Sequence, residues 1–474
     1  MKKKIWIVLL ACLVSGCSVK TEDRQIPMET RIQSVSEMWH YAKSYYGNWQ
    51  LISQSDWDDA YYETLEKVRA SKTNSEYRSL MRQFGARLQD GHFSLTWENE
   101  PEEKRIPLQF TIIEGKLIVS AAASFYTEIP VSSTVNQING QYWLTYAEDT
   151  IGKEIGIQTP GTRQLILAQL LSYTKEEAKE ITLDLVTPQG EALHETLSYL
   201  DKDDLILWTN AANPLLDKSK NKFLTYHTSP MMDAMIYQDR IGYICLRSLK
   251  TIGIAEELEE VMTEVIKDLD FYVLDIRINA GGSGAVAKAI LNCFYPDAIP
   301  DLILYHQEMD SYDVGVFSSL QAMNLSSEEI GESPELDHDR RRGELMADNQ
   351  YYTASGTSVD INTVSPLPNV AILIGNRTGS AAEDMAAYAQ AIGIPLIGGH
   401  TAGATGQVAI LNLTDGAKMM FSTVRVVSPC GQDSLNQGIH PDYEVEQTLE
   451  DYEEGIDTML VYALNFAEKQ IEPR

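Results

Sequence analysis

The chain has 474 residues and a formal net charge of −30, from 38 Lys+Arg against 68 Asp+Glu. So acidic a surface repels a polyphosphate and argues against nucleic acid as a partner. With 44% hydrophobic and 22% charged residues, wholesale disorder is excluded, and the length fits about three domains.

The first residues are Lys2, Lys3 and Lys4, followed by an apolar run over 5–14. This is the pattern of an export signal, and the run is too short to span a bilayer, which takes about 20 residues. It closes on Val14-Ser15-Gly16-Cys17, which resembles the bacterial lipobox. The resemblance implies cleavage before Cys17, lipid attached to Cys17, and a chain anchored to a bilayer rather than spanning it. The alternative is a plain signal peptide with an incidental cysteine. Ser18, where an acidic residue would favour inner-membrane retention, points to the outer membrane of a bacterial envelope. Cys12 leaves with the signal. Cys245, Cys293 and Cys430 are too few and too scattered for a disulfide framework or a zinc site, and read as buried small hydrophobes.

After a polar tether at 17–29, the pattern over 30–100 is helical. Val35, Met38, Trp39 and Ala42 recur at 3–4 spacing, as do Tyr61, Leu65 and Val68, then Leu80, Phe84 and Leu88. Asp56 and Ser75 are the expected N-caps. Over 101–238 the texture becomes β-rich, with short runs at 108–113, 116–120 and 181–186, turns at Glu114-Gly115 and Asn139-Gly140, and one helix at 162–173. The stretch 129–140 resembles a hairpin of PDZ-like domains, which implies a strand edge that docks an extended peptide. From 239 to 474, strands at 241–246, 271–276, 370–374 and 394–397 alternate with helices at 255–269, 285–293 and 381–391, the layout of an α/β core with a mostly parallel sheet. A charged, Ser-rich insertion occupies about 301–366.

Two stretches of the core carry chemistry. Asp275-Ile276-Arg277-Ile278-Asn279-Ala280-Gly281-Gly282 follows an apolar strand and precedes a helix. Backbone amides there suit an anion or an oxyanion, and equally the glycines suit a tight strand–helix turn. In Thr378-Gly379-Ser380-Ala381-Ala382-Glu383 a serine opens a helix after another apolar strand. It reads either as an exposed nucleophile or as an ordinary N-cap.

Together these stretches resemble the tail-specific (C-terminal processing) and tricorn-like serine peptidases, whose motifs are D-x-R-x-N-x-G-G and T-x-S-A-x-E. Gly438-Ile439-His440-Pro441-Asp442 resembles that family's G-V-x-P-D, Gly398, Thr401 and Gly403 its G-x-x-T-x-G loop, and Leu88-Gln89-Asp90-Gly91-His92 its L-x-D-G-H. The resemblance implies a ClpP/crotonase-like α/β core behind a helical N-terminal domain and a PDZ-like domain. It implies a polypeptide substrate and no cofactor or metal. Ser380 becomes the nucleophile, with an oxyanion hole of Gly281, Gly282 and Ala381. Bacterial members take their base from a lysine in T-x-G-K, but this chain has Ala404 there. Tricorn-like members use a histidine that matches His92, and an imidazole suits that role. His400 is the alternative base, and Asp433 the candidate orienting acid. The competing function is a non-catalytic peptide- or ligand-binding lipoprotein on the same fold, in which Ser380 is a helix cap. An acyl-CoA enzyme of the crotonase type is disfavoured by the export signal.

Overall fold

In a computed structural model, residues 24–471 are described apart from 101–102, 124, 127, 175–178, 202–222, 267–268, 308–351, 357, 361, 363, 366 and 368. The signal, Cys17 and most of the insertion therefore lie outside the described residues.

The apolar stripes of the N-terminal segment form three helices, Met28–Tyr45, Gln54–Ala70 and Asn74–Ala86. Their caps sit earlier than the sequence implied. Ser53 accepts from Asp56 N at 3.0 Å, and Thr73 and Glu76 form a capping box, because a cap's hydroxyl reaches the amide three residues ahead. Trp57 stacks on Phe84 at 4.1 Å in the core of these helices. The helices do not complete that core alone. A three-stranded antiparallel sheet of Ser94–Trp97, Ala417–Ser422 and Val408–Asn412 closes it, and Leu413, Met419 and Phe421 bury beside Val35, Met38 and Trp57.

The β-rich segment is an antiparallel sheet in the order Leu108–Ile113, Lys116–Ala122, Thr134–Ile138, Glu180–Val186, Ala192–Ser198. Asn139 and Gly140 both take positive φ, 49° and 78°, which makes the tight hairpin turn. Strand Leu108–Ile113 is an edge of this sheet. Helix Pro160–Leu170 packs beside it, with Leu167 and Ala168 against Leu108 and Phe110.

The C-terminal α/β core is a seven-stranded sheet: Phe223–Thr228, Met232–Tyr237, Ile241–Leu246, Phe271–Asp275, Val370–Ile374, Leu396–Gly398, Tyr443–Glu444. The first three run antiparallel and the rest continue in parallel. Successive side chains on the central strands face opposite ways, and both faces are covered. Leu274, Ile372 and Ile374 pack on helices Gly253–Glu260, Gly284–Asn292 and Ala381–Ala391. Val273, Ala371 and Leu373 pack on Leu460, Ala463 and Leu464 of the C-terminal helix Thr458–Gln470. The helix expected to run through 255–269 passes into a π turn at Val261–Val265. The described ends of the insertion are strands: Ile303–Gln307 pairs with Tyr352–Ser355 and with Val424–Val427. Of the three remaining cysteines only Cys245 is fully buried, and all three are free thiols.

Candidate active site

Strands Phe271–Asp275 and Val370–Ile374 are parallel neighbours, so both motif-bearing turns emerge at one carboxyl edge of the sheet. Motif side chains stitch these turns together. Thr378 Oγ1 donates to Ile276 O at 2.9 Å and accepts from Gly375 N at 3.1 Å. Asn279 Nδ2 donates to Leu246 O at 3.0 Å, its Oδ1 accepts from Gly281 N at 2.9 Å, and its carbonyl accepts from Gly379 N at 3.1 Å. Both side chains are fully buried, and a buried polar group with its partners supplied locks the backbone around it.

Ser380 opens helix Ala381–Ala391 with φ 52° and ψ −133°, and its side chain caps nothing. That disposes of the N-cap alternative. A non-glycine residue in this region carries about 1–3 kcal/mol of strain and persists only where its surroundings hold it. Here Ser380 N donates to Ala404 O at 2.6 Å. The Gly281 turn presses on the same point. A Cβ on Gly281, whose φ is 98°, would lie 2.6 Å from Ser380 Cβ and 2.8 Å from Ala381 N. Gly281 is thus required for close approach, but its own amide is engaged by Asn279, so its expected place in the oxyanion hole is corrected. The amides of Gly282 and Ala381 make no hydrogen bond among the described residues.

His92 reaches this edge from the helical domain. Gly91 abuts Ala404, the position at which the motif resemblance implied a lysine: a Cβ on Gly91 would sit 2.5 Å from Ala404 Cβ. The loop that carries the histidine thus packs over the site a lysine side chain would need. Ala404 joins the two candidates, since its carbonyl holds Ser380 while its methyl meets Gly91. His92 Nδ1 lies 3.0 Å from Ser422 Oγ, whereas among the described residues neither His92 Nε2 nor Ser380 Oγ has a hydrogen-bond partner. Burial lowers the His92 pKa, with Asp90 acting in the opposite direction, so the imidazole is neutral near pH 7.

The other two candidates sit elsewhere. Asp433 forms an ion pair with Arg425 at 2.8 Å and accepts from Leu435 N at 3.2 Å, so it does not orient His92. The acid beside His92 is Asp90, a member of the motif whose role the sequence left unassigned. His400 Nδ1 is 2.8 Å from Thr401 O, and the ring lines a cavity of about 480 Å³ together with Gly161, Asn376 and Arg377, not with Ser380. Asn436 clasps the region, joining Gln89 O at 2.8 Å, Gln158 N at 2.8 Å and Gly403 O at 2.9 Å. Among the described residues, no group of three or more His, Cys, Asp or Glu side chains is placed to hold a metal ion.

Glu383, in the first turn of Ala381–Ala391, holds the Ala404 loop. Its Oε2 accepts from Gly403 N at 2.7 Å and Ala404 N at 3.3 Å. Burial raises its pKa to about 7, against hydrogen bonds from Ser434 and Thr401 that act downward, and Oε1 makes no well-formed hydrogen bond. A folded pKa raised from 4.5 to about 7 contributes stability that is complete below 4.5 and lost as pH rises through 7. Glu383→Gln, which cannot ionise, is therefore expected to flatten the fall in unfolding midpoint between pH 5 and 7.5. Asp384, raised by burial to about 6, keeps a smaller slope of the same sign in both proteins. Parallel wild-type and variant curves would refute this.

Residues 240–445 match the sequence profile of peptidase family S41. The chain carries an S41 peptidase domain. The match takes in the Gly-Gly turn, Ser380 and the closing Gly438–Asp442 stretch, and makes this a serine-type peptidase. His92 lies outside the matched span, supplied by the helical segment. Mature CPAF is similar in structure, with a TM-score of 0.67 at 13% identity over 93% of this chain and 97% of that one. CPAF complexed with lactacystin gives 0.66 at 13% identity over 93% and 98%. At such identities the likeness is one of fold. No curated protein matches the sequence. The S41 domain is embedded in a mixed α/β fold, and no described helix is long and apolar enough to cross a membrane.

Proposed function

We propose that this S41 peptidase is a lipid-anchored endopeptidase of the bacterial envelope that cleaves exported or unfolded polypeptides with Ser380 as nucleophile and His92 as base. The carrying observation is the strained, uncapped Ser380, with its hydroxyl free beside the open amides of Gly282 and Ala381. Ser380 Oγ attacks the scissile carbonyl carbon and passes its proton to His92 Nε2. The amides of Gly282 and Ala381 donate to the oxyanion of the tetrahedral intermediate, and the dipole of helix Ala381–Ala391 adds to the same field. His92 returns the proton to the leaving amine, and water then hydrolyses the acyl-enzyme with His92 again as base. The Nε2–Oγ hydrogen bond forms on substrate binding, since such contacts tighten in the Michaelis complex. Edge strand Leu108–Ile113 is the surface that suits an extended peptide.

The test is labelling by a fluorophosphonate. Wild type takes the probe, Ser380→Ala does not, and prior lactacystin, bound by CPAF of similar fold, slows labelling. Wild type that takes no probe and cuts no unfolded substrate ends the catalytic reading in favour of a binding protein. The anchor is tested separately. Wild type incorporates palmitate and fractionates with the envelope, whereas Cys17→Ala does neither; palmitate on the variant would show that Cys17 is not the acceptor.

A further inference from the structure

Strand Ser94–Trp97 pairs with Ala417–Ser422 in a register that matches Ser94 with Met420. Continued by two residues, this register sets His92 opposite Ser422, and the two side chains meet at 3.0 Å through Nδ1 and Oγ. Asp90 lies behind them. Its Oδ1 accepts from Ser422 Oγ and from His92 N, each at 2.9 Å, and its Oδ2 accepts from Ser422 N at 2.6 Å. Ser422 is 0% and Asp90 1% exposed, so water does not complete these bonds.

The direction of the bonds follows from counting protons. Both Asp90 oxygens already accept a backbone N–H, so the carboxylate is the acceptor of the cluster. The one hydroxyl proton of Ser422 then goes to Asp90 Oδ1, which leaves Ser422 Oγ only a lone pair to offer His92. His92 Nδ1 must carry a proton, and Nε2 must be bare. In the opposite tautomer the hydroxyl would turn to Nδ1, and two buried acceptors would face each other at 2.9 Å with no proton between them.

We propose that Ser422 and Asp90 are positioning residues that hold His92 as the Nδ1–H tautomer, with its Nε2 lone pair available to Ser380. The proposal rests on the reading of Ser380 and His92 as nucleophile and base. The relay keeps a hydrogen bond to Nδ1 both before and after Nε2 takes the proton. It also supplies the orienting group that Asp433 does not. Ser422 reaches this position from a strand outside every motif, by pairing alone.

The experiment combines fluorophosphonate labelling rates with ¹⁵N NMR of histidine-labelled full-length protein. Wild-type His92 is expected as the Nδ1–H tautomer. Ser422→Ala is expected to label roughly 10- to 100-fold more slowly with a near-native unfolding midpoint, and its tautomer preference relaxes. Ser422→Thr, which restores the hydroxyl, recovers most of the rate, and Asp90→Asn falls in the same direction as Ser422→Ala. A folded Ser422→Ala that labels within about twofold of wild type overturns the relay, as does a wild-type Nε2–H tautomer. The latter measurement decides the matter if Ser422→Ala fails to fold. Wild type that shows the Nδ1–H tautomer but takes no probe supports the relay and overturns the peptidase mechanism, so the two failures are distinct.

Discussion

Replacing Ser380 with alanine is expected to reduce peptide hydrolysis on the order of 10⁴-fold or more while leaving the fold intact. The size follows from how little remains. The open amides of Gly282 and Ala381 still polarise a bound carbonyl, but no attacking oxygen is left, and the hydroxyl makes no hydrogen bond among the described residues. The backbone gives the prediction a second arm. Alanine keeps a Cβ at φ 52°, so Ser380→Ala retains the strain of the wild type. Ser380→Gly removes it, and should be more stable than Ser380→Ala by about 1 kcal/mol in urea unfolding. Two equally inactive variants that differ in stability would show that strain is maintained for the hydroxyl's position. An active Ser380→Ala would place the nucleophile elsewhere.

The largest loss of stability is expected from Arg277→Ala. Burial alone would lower the Arg277 pKa, but Asp275 and Asp457 outweigh it and hold the guanidinium charged. Its fork donates to Asp275 at 2.6 Å and to Asp457 at 2.7 and 2.8 Å, while Tyr243 donates to Asp275 at 2.7 Å. Asp275 and Asp457 side chains are only 5% and 3% exposed, so alanine strands two buried carboxylates, a cost of about 3–5 kcal/mol. Lysine cannot span both partners and should recover little. The sign of the pH dependence is a further check. Burial raises the pKa of Asp275, but Arg277 more than reverses this, so its contribution is present above its ordinary pKa of 3.8 and lost in acid. Without Arg277 burial favours protonation of Asp275, and the deficit of the variant should be larger at pH 7 than at pH 4.5. A deficit below about 1 kcal/mol at pH 7 would mean that the cluster is solvated or relaxes freely. The same pair anchors the N-terminus of the C-terminal helix, because Asp457 Oδ1 also accepts from Leu460 N at 3.0 Å.

The parallel core was legible because its strands are unbroken apolar runs bounded by glycine turns. Ile241–Leu246 and Val370–Ile374 fall where the pattern put them, as does helix Ala381–Ala391. Strands Val408–Asn412 and Ala417–Ser422 carried no comparable signal: part of their surface faces solvent, and the central strand Ala417–Ser422 pairs on its other side with Ser94–Trp97, which is remote in sequence. The site divides in the same way. Ser380 and the Gly-Gly turn were readable from motifs, but the uncapped, positive-φ geometry of Ser380 was not, because serine before Ala-Ala-Glu also spells an ordinary cap. Asp433 misled by its nearness to the closing motif; a cation eight residues back captures it. Asp90 lay inside a quoted motif, yet only strand pairing gives it Ser422 as a partner.

That pairing has a consequence for when the protein becomes active. Asp90 and Ser422 are 332 positions apart, and the hairpin that carries Ser422 also seals the core of the N-terminal helices. A growing chain emerges with His92 well before Ser422. Until then the helices lack one wall of their core, and the imidazole lacks the neighbour that fixes its proton. Synthesis order thus acts as a safety catch: a chain interrupted before the hairpin carries a serine and a histidine, but not the scaffold that aligns them.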